Sequence, residues 1–280
     1  KCISCGMCTL VCPVGAIIEK PDWHEVLHTL DNHRRVSAVQ VAPATRIAIS
    51  EEFGMKPGTI STGRLVNALR LLGFDYVFDT NFGADLTTIE EATELLSRLK
   101  QNKNLPLFTS CCPGWVNWVE INRPDLIPHL STTKSPQQMH GALTKRGSFA
   151  KTLNDEPYVI SVMPCTAKKD ESLRPGMSSD LDHVITTREL AKMIRARKIA
   201  FASLAEDGKF DNPLGESTGA GQIFGVSGGV MEAIARTASH YAGHEDSHPM
   251  EWHQFRGVQK GVKSAKIPGV GQVAVCNGIA

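Results

Sequence analysis

The sequence predicts an α/β fold, with mainly parallel sheets flanked by helices, preceded by a small cysteine-rich unit. Three observations carry this expectation. From Val36 onward, β-branched segments alternate with segments of helical period, the pattern of strands joined by helical crossovers. Four of the eight cysteines crowd into the first twelve residues, apart from the rest. A chain of 280 residues, 41% hydrophobic and 21% charged, has material for one large domain with a small appendage.

Residues 1–20 form the cysteine-rich unit, in which Cys12-Pro13 closes the motif. Residues 22–30 read as a short helix, with Asp22 as its cap and Val26, Leu27 and Leu30 on one side. A polar connector follows, so the domain boundary falls between residues 20 and 35. Residues 36–41 are β-branched and read as a strand stopped near Pro43. Residues 62–72 carry Leu65, Leu69 and Leu72 at helical spacing, with Gly73 as the stop. Residues 76–78 are a buried-type strand. Residues 85–100 are helical, acidic early and basic late as the helix dipole favours. Strands are expected at 106–109 and 158–163, each followed by a cysteine, and a last strand at 273–276. Residues 187–196 and 229–239 read as helices. Ligands of such folds gather at the C-terminal ends of strands, where both later cysteine motifs are expected to lie.

Net charge is +1, which argues against nucleic-acid and anionic-membrane partners. No apolar run is long enough to cross a bilayer, so membrane insertion is not expected. No leader segment is visible, and the chain opens on Lys1 with a motif cysteine at position 2. The N-terminus is therefore expected to be missing, which leaves the compartment open. Crowded cysteines in an otherwise ordinary chain point to metal ligation in a reducing compartment rather than to a disulfide scaffold.

Residues 1–13 spell Cys-x2-Cys-x2-Cys-x3-Cys-Pro, the bacterial ferredoxin spacing for a 4Fe-4S cluster. Thiolates every three residues can fold around a cuboidal cluster, and soft thiolate suits iron–sulfur chemistry. Zinc sites normally show two separated Cys-x2-Cys pairs. In two-cluster ferredoxins the fourth cysteine serves the other cluster. Cys2, Cys5 and Cys8 are thus expected to share one cluster and Cys12 to serve a second, with partners upstream of Lys1.

The segments Phe108-Thr109-Ser110-Cys111-Cys112-Pro113-Gly114-Trp115 and Val162-Met163-Pro164-Cys165-Thr166-Ala167-Lys168-Lys169-Asp170-Glu171 form a second constellation. Vicinal cysteines bridge to each other only with strain. Free cysteine is also among the most buried residue types, so on residues alone both ligands and core thiols remain open.

These two segments resemble the first two of three signature motifs of the FeFe hydrogenases. The similarity extends to residues 77–86, 135–138, 185–194 and 219–233, and so covers essentially the whole chain. It implies a partial ferredoxin-like 4Fe-4S domain over residues 1–22 and a connector helix and linker over 23–35. An H-cluster domain would follow over 36–280, incomplete at its C-terminus. The family's H-cluster is a 4Fe-4S cubane joined through a cysteine sulfur to a di-iron centre with CO, cyanide and a dithiolate amine. Carried over, Cys112 and Cys165 are cubane ligands, and Cys111 is the thiol that passes protons to the bridging amine. Lys168 hydrogen-bonds a cyanide, Met163 lines the di-iron pocket, and Gln137, Pro43 and Phe224 belong to the cofactor's surroundings. Lysine offers up to three donors to an anionic ligand, and a thiol's pKa lies near enough to neutrality to relay protons.

The resemblance also implies a proton channel through Glu94, Ser131 and Glu91 to Cys111. Glu91 and Glu94 stand three apart on the predicted helix, hence on one face. Read without the family, they are a solvated acidic face. The implied reaction is 2H+ + 2e− ⇌ H2, with ferredoxin or a similar carrier as electron partner and maturation proteins to build the cofactor. The compartment would be cytoplasmic, or organellar (hydrogenosomal) in a eukaryote. A sensory hydrogenase and a hydrogenase-like iron–sulfur assembly factor are the rival readings. These 280 residues alone are expected to be inactive, because they lack the family's third signature segment.

Three features are set aside. His24-Glu25-Val26-Leu27-His28 spells the zinc-peptidase His-Glu-x-x-His, but on a short connector helix where no pocket can be built. Gly219-Ala220-Gly221-Gln222-Ile223-Phe224-Gly225 lacks the glycine spacing and preceding strand of a dinucleotide fingerprint, and reads as a glycine-rich loop up to Gly229. Cys276 sits in an apolar strand and is expected to be a buried core thiol.

Overall fold

A computed structural model describes residues 2–32, 35–244, 253–254 and 261–276, and it divides into two compact units. The first comprises residues 1–83 and 136–216, the second residues 84–135 and 217–280. The chain thus leaves the first unit after Gly83 and re-enters it at Pro136.

The first unit is built on a four-stranded parallel sheet of order β2-β1-β3-β4. Its strands are β1 (Ser37–Val41), β2 (Tyr76–Asp79), β3 (Tyr158–Met163) and β4 (His183–Thr186). The register pairs Val39 with Val77 on one side and with Ile160 on the other. Every residue of β1 and β3 is buried, as parallel strands covered on both faces require. One sheet face carries Val39, Val41, Ile160, Val162 and Ile185 into the main core. That core is completed by α2 (Trp23–Asn32), α3 (Thr45–Glu52), α4 (Thr62–Leu71) and α10 (Thr187–Ala196). Gly73, with φ 102°, follows α4 in the left-handed turn that the sequence predicts there. Thr186 and Glu189 close α10 with a reciprocal capping box.

The opposite sheet face is part polar. Gln40 of β1 and Ser161 of β3 are fully buried and point to α7 (Pro136–Arg146), where each finds a partner on Gln137. Buried polar groups persist only when paired, so these bonds fix the register of α7 on the sheet. Phe78 and Ala38 pack with Phe149 of α8 (Ser148–Leu153). The strand order reverses between β1 and β3. The loops that leave these neighbours carry Pro43 and Pro164-Cys165, so the topological switch point lies at Cys165. The short helices α1 (Met7–Val11) and α9 (Ala167–Ser172) complete this unit.

The second unit holds the long part of α5 (Thr80–Gln101), then α6 (Pro113–Asn122), α11 (Gly219–Phe224) and α12 (Gly229–Tyr241). It also has an antiparallel sheet of β5 (His253–Gln254), β6 (Val262–Ile267) and β7 (Gly271–Cys276). Ile234 and Ala238 of α12 pack with Ala92 of α5, and Ala235 packs with Ala265 and Ile267 of β6.

Several expectations are corrected. Residues 106–109 are not a strand: Phe108 makes one isolated bridge to Leu130, and no neighbouring strand extends it. The cysteine pair therefore does not follow a strand end, whereas Cys165 does. The last strand belongs to an antiparallel hairpin, whose alternation turns Cys276 outward, so it is exposed and not a core thiol. The glycine-rich loop contains α11, seated by the Asp85 carboxylate. That carboxylate accepts from the Thr218 hydroxyl and amide and from the Gly221 amide. Helix α5 starts five residues before Asp85, because Asp79 at the end of β2 accepts the Asn81 amide at 2.9 Å. The Asp22 carboxylate is spent on Lys20 and Lys169 at 2.8 and 2.6 Å, not on a cap. Among the described residues no helix is long and apolar enough to cross a membrane.

Candidate metal centre

The N-terminal loop places Cys2, Cys5 and Cys8 at the surface of the first unit, with Cys12 half-buried. Ser4 and Gly6 take left-handed conformations, φ 61° and 78°, which turn the chain between the cysteines. The Ser4 amide lies 3.3 Å from Cys2 Sγ. Helix α1 begins at Met7, so Cys8 stands in its first turn and Cys12 ends it. Backbone amides face the Cys12 sulfur, that of Ile17 foremost and then that of Val14, and hold its thiol below the ordinary value. A site rich in amide donors around thiolate is the chemistry that iron–sulfur ligation needs. Among the described residues no three Cys, His, Asp or Glu side chains already converge, and no cysteine is in a disulfide. Thiols standing apart on a turned loop suit ligands that are drawn together by the metal they bind. The donor set therefore fits a 4Fe-4S centre.

In the same unit, Cys165 follows Pro164 at the end of β3, and its carbonyl accepts the Lys168 amide at 3.2 Å. The Lys168 ammonium sits 2.9 Å from Glu171 Oε2, and both side chains are largely buried. Gln137 Nε2 donates to the Lys168 carbonyl and to Glu171 Oε2, both at 3.1 Å. Gln137 Oε1 accepts from Ser161, and Gln40 donates to the Gln137 carbonyl while accepting from Thr80. A continuous buried chain from Thr80 to Lys168 thus sets the position of the ammonium. Met163 is buried one strand position before Pro164, and Pro43 is half-buried after β1. Sequence reasoning missed Glu171, Gln40 and Ser161. The signal available was a polar residue inside each of two otherwise apolar buried strands.

The second unit carries Cys111, Cys112, Glu91, Glu94, Ser131 and Phe224. Cys112 is exposed at the N-cap of α6, with Pro113 as the first helical residue. Cys111 is half-buried against the cluster formed by Ala84, Phe224 and Ala233.

Glu91 is 1% exposed and its Oε1 has no hydrogen-bond partner among the described residues. Burial, and next the charge of Glu94, push its pKa up to about 8. Glu94 takes the opposite course. Burial pushes it up, but the Ser131 hydroxyl and the Arg98 guanidinium outweigh burial and hold its carboxyl below the usual range. Ser131 Oγ, Arg98 and the Thr132 amide lie 2.7, 2.6 and 3.1 Å from Glu94 oxygens. The pair is not a solvated acidic face. It is a neutral buried acid one helical turn from an ionised carboxylate, an arrangement able to hold and hand on a proton. Arg98 was missed, although its i,i+4 spacing from Glu94 is visible in the sequence.

Comparisons with known proteins identify the family. Residues 35–280 match the family described as iron-only hydrogenase large subunit, C-terminal domain, and residues 1–18 match a 4Fe-4S binding domain. The chain is 49% identical to an NADP-reducing hydrogenase subunit of Solidesulfovibrio fructosivorans, over 95% of this chain and 47% of the relative. It is 46% identical to iron hydrogenase 1 of Clostridium pasteurianum, over 91% of this chain and 45% of the relative. The chain thus spans about half the length of these two relatives. An apo FeFe hydrogenase structure from Chlamydomonas reinhardtii matches with a TM-score of 0.73 and 42% identity, over 88% of this chain and 65% of that one. A more distant relative, 33% identical over 80% of this chain and 60% of its own length, is a cytosolic Fe-S cluster assembly factor of Danio rerio. The family brings iron–sulfur cofactors with it, a 4Fe-4S centre for the N-terminal loop and the H-cluster for the larger domain. The chain belongs to the iron-only hydrogenase large-subunit family.

Proposed function

We propose that this chain is the catalytic part of an FeFe hydrogenase, interconverting protons, electrons and H2. The observation that carries the reading is the split carboxylate pair. A buried, protonated Glu91 beside an ionised Glu94 and Ser131, in the unit that also holds Cys111, is an arrangement that can hold and hand on a proton. Residues 1–22 serve as the electron entry, 23–35 as connector, and 36–280 as the catalytic domain.

Cys2, Cys5 and Cys8 hold a 4Fe-4S cluster and Cys12 serves a second. Cys112 and Cys165 ligate the H-cluster cubane. When bound, the H-cluster supplies the redox and hydrogen chemistry, which no side chain can provide. The protein's part is to position ligands and move protons. Lys168, steadied by Glu171 and Gln137, donates to an anionic cofactor ligand. Met163, Gln137, Pro43 and Phe224 are the residues assigned to the cofactor's surroundings. Glu94 accepts protons near the surface, Ser131 and Glu91 pass them inward, and Cys111 is the last donor. Ferredoxin or a similar low-potential carrier supplies electrons, and dedicated maturation proteins install the cofactor. A non-catalytic assembly factor has no use for a relay thiol beside a ligand thiol, and Cys111 therefore favours the enzyme.

Infrared spectra of the full-length protein, co-expressed with maturation proteins, test this reading. CO and cyanide stretching bands are expected. Their absence from protein that has been loaded with iron would overturn it.

A further inference from the structure

Helix α9 and the two residues before it present two faces. Cys165, Lys168 and Glu171 stand three apart, and Lys168 and Glu171 meet Gln137. Thr166 and Lys169, also three apart, meet the N-terminal cysteine segment instead. Lys169 Nζ donates to the Lys20 carbonyl at 3.0 Å and pairs with Asp22 and Glu189 at 2.6 and 2.8 Å. The Thr166 hydroxyl donates to the Ser4 carbonyl at 2.6 Å. The contact is close-fitting. A Cβ added at Gly6 would stand 2.5 Å from Thr166 Oγ1, so glycine at this left-handed position is required by space as well as by φ.

The two ends of that hydrogen bond are notable in covalent terms. The Ser4 carbonyl carbon is bonded to the amide nitrogen of Cys5. The Thr166 backbone nitrogen is bonded to the carbonyl carbon of Cys165. The bond therefore closes a path from Cys5 Sγ, through the Ser4 carbonyl and the Thr166 hydroxyl, to Cys165 Sγ, with a single non-covalent step. A short hydrogen bond in a semi-buried place has little water to compete with it. A neighbouring tie from this end of the sheet, Arg188, reaches Thr9 and Glu19 at 3.3 and 3.4 Å; Thr9 adjoins Cys8, but Arg188 offers no short covalent route to Cys165.

We propose that Thr166 is the electron-coupling residue between the N-terminal cluster and the cluster ligated by Cys165. This rests on the ligand assignments made above. One electron leaves the reduced cluster at Cys2, Cys5 and Cys8 and arrives on the oxidised cubane at Cys165. No bond forms or breaks and no proton moves. The N-terminal cluster is refilled by a low-potential one-electron donor. Thr166 touches neither substrate nor reacting atoms, so it acts as a positioning residue.

The test uses the full-length matured enzyme. A light flash in the presence of a photoreductant delivers one electron, and the infrared bands of the H-cluster report its arrival. EPR and midpoint potential of the N-terminal cluster are recorded alongside. Thr166→Val keeps the shape and removes the hydroxyl. It is expected to slow the arrival several-fold, with the N-terminal EPR signal and potential unchanged. Thr166→Ser restores the hydroxyl and is expected to restore the rate. Arg188→Gln loosens a neighbouring tie outside the path and is expected to transfer at the wild-type rate. Wild-type transfer in Thr166→Val, or slow transfer in Thr166→Ser, overturns the proposal. Equal slowing in Arg188→Gln also overturns it, by showing that docking rather than the bond governs the rate. If the wild-type protein has no ferredoxin-type EPR signal, the ligand assignment itself fails and the proposal falls with it.

Discussion

Ser131 Oγ donates a 2.7 Å hydrogen bond to Glu94 Oε2 from thirty-seven residues away in sequence. Its own oxygen accepts the Thr133 amide at 3.2 Å, so the hydroxyl is held from both sides. The segment after Leu130 is thereby clamped to α5, and the Glu94 charge is set at the edge of the unit while Glu91 stays buried and neutral.

Removing that hydroxyl tests the clamp. Ser131→Ala is expected to destabilise the protein by about 1.5–3 kcal/mol, the range for a hydrogen bond to a charged group. It should also move the Glu94 pKa upward, since one of the groups holding it down is gone. Urea denaturation and carboxylate NMR titration measure the two effects. Wild-type stability together with an unmoved Glu94 titration would show that Ser131 is not its partner in solution.

Glu91 makes stability depend on pH with a definite sign. Its pKa is about 8 folded against an ordinary 4.5. Below about pH 4.5 both states are protonated and there is no penalty. Between 4.5 and 8 the unfolded chain releases a proton that the folded chain keeps, so stability falls as pH rises. The fall is at most about 5 kcal/mol, because each pH step between the two values is worth about 1.4 kcal/mol. Glu91→Gln keeps the shape and removes the ionisable proton, so its stability advantage over wild type is expected to grow as pH rises from 4.5 and to level off above about 8. Parallel pH profiles for the two proteins would refute a neutral Glu91.

At the N-terminus, the cysteine spacing and the turned loop assign Cys2, Cys5 and Cys8 to one cluster. In the full-length protein, Cys5→Ala is expected to remove one ferredoxin-type EPR signal and leave the H-cluster bands in place. Recovery of zinc rather than iron at this loop would end the assignment.

The adjacent thiols separate by variant. Cys111→Ala is expected to keep the CO and cyanide bands and lose turnover by orders of magnitude, because the last proton donor is missing. Cys112→Ala is expected to prevent normal cluster assembly. Equal loss of the bands in both variants would contradict the division of roles.

What the sequence discloses and what it hides follow from range. The cysteine run, the strand before Pro164-Cys165 and the one-turn spacing of Glu91 and Glu94 are local patterns, and they stand where the sequence places them. The buried chain from Thr80 through Gln40 and Gln137 to Lys168 joins residues far apart, and a polar residue inside an apolar strand marks Gln40 and Ser161 without naming the partner that each meets. Residues 106–109 have strand composition, but a strand needs a neighbour and Leu130 supplies one bridge only. Cys276 reads as buried because its strand is apolar, yet its register in the hairpin with β6 turns it outward. The division into two units was also out of reach, because each unit is assembled from two separate stretches.

Hydrogen evolution is the most direct measurement of the central claim. The full-length protein containing these residues, matured and supplied with reduced viologen, is expected to release H2 continuously and to stop under CO. Glu91→Gln in the same assay is expected to lose most of that rate. Fully matured, iron-loaded protein that releases no H2, or that releases it at wild-type rate without Glu91, would contradict the account.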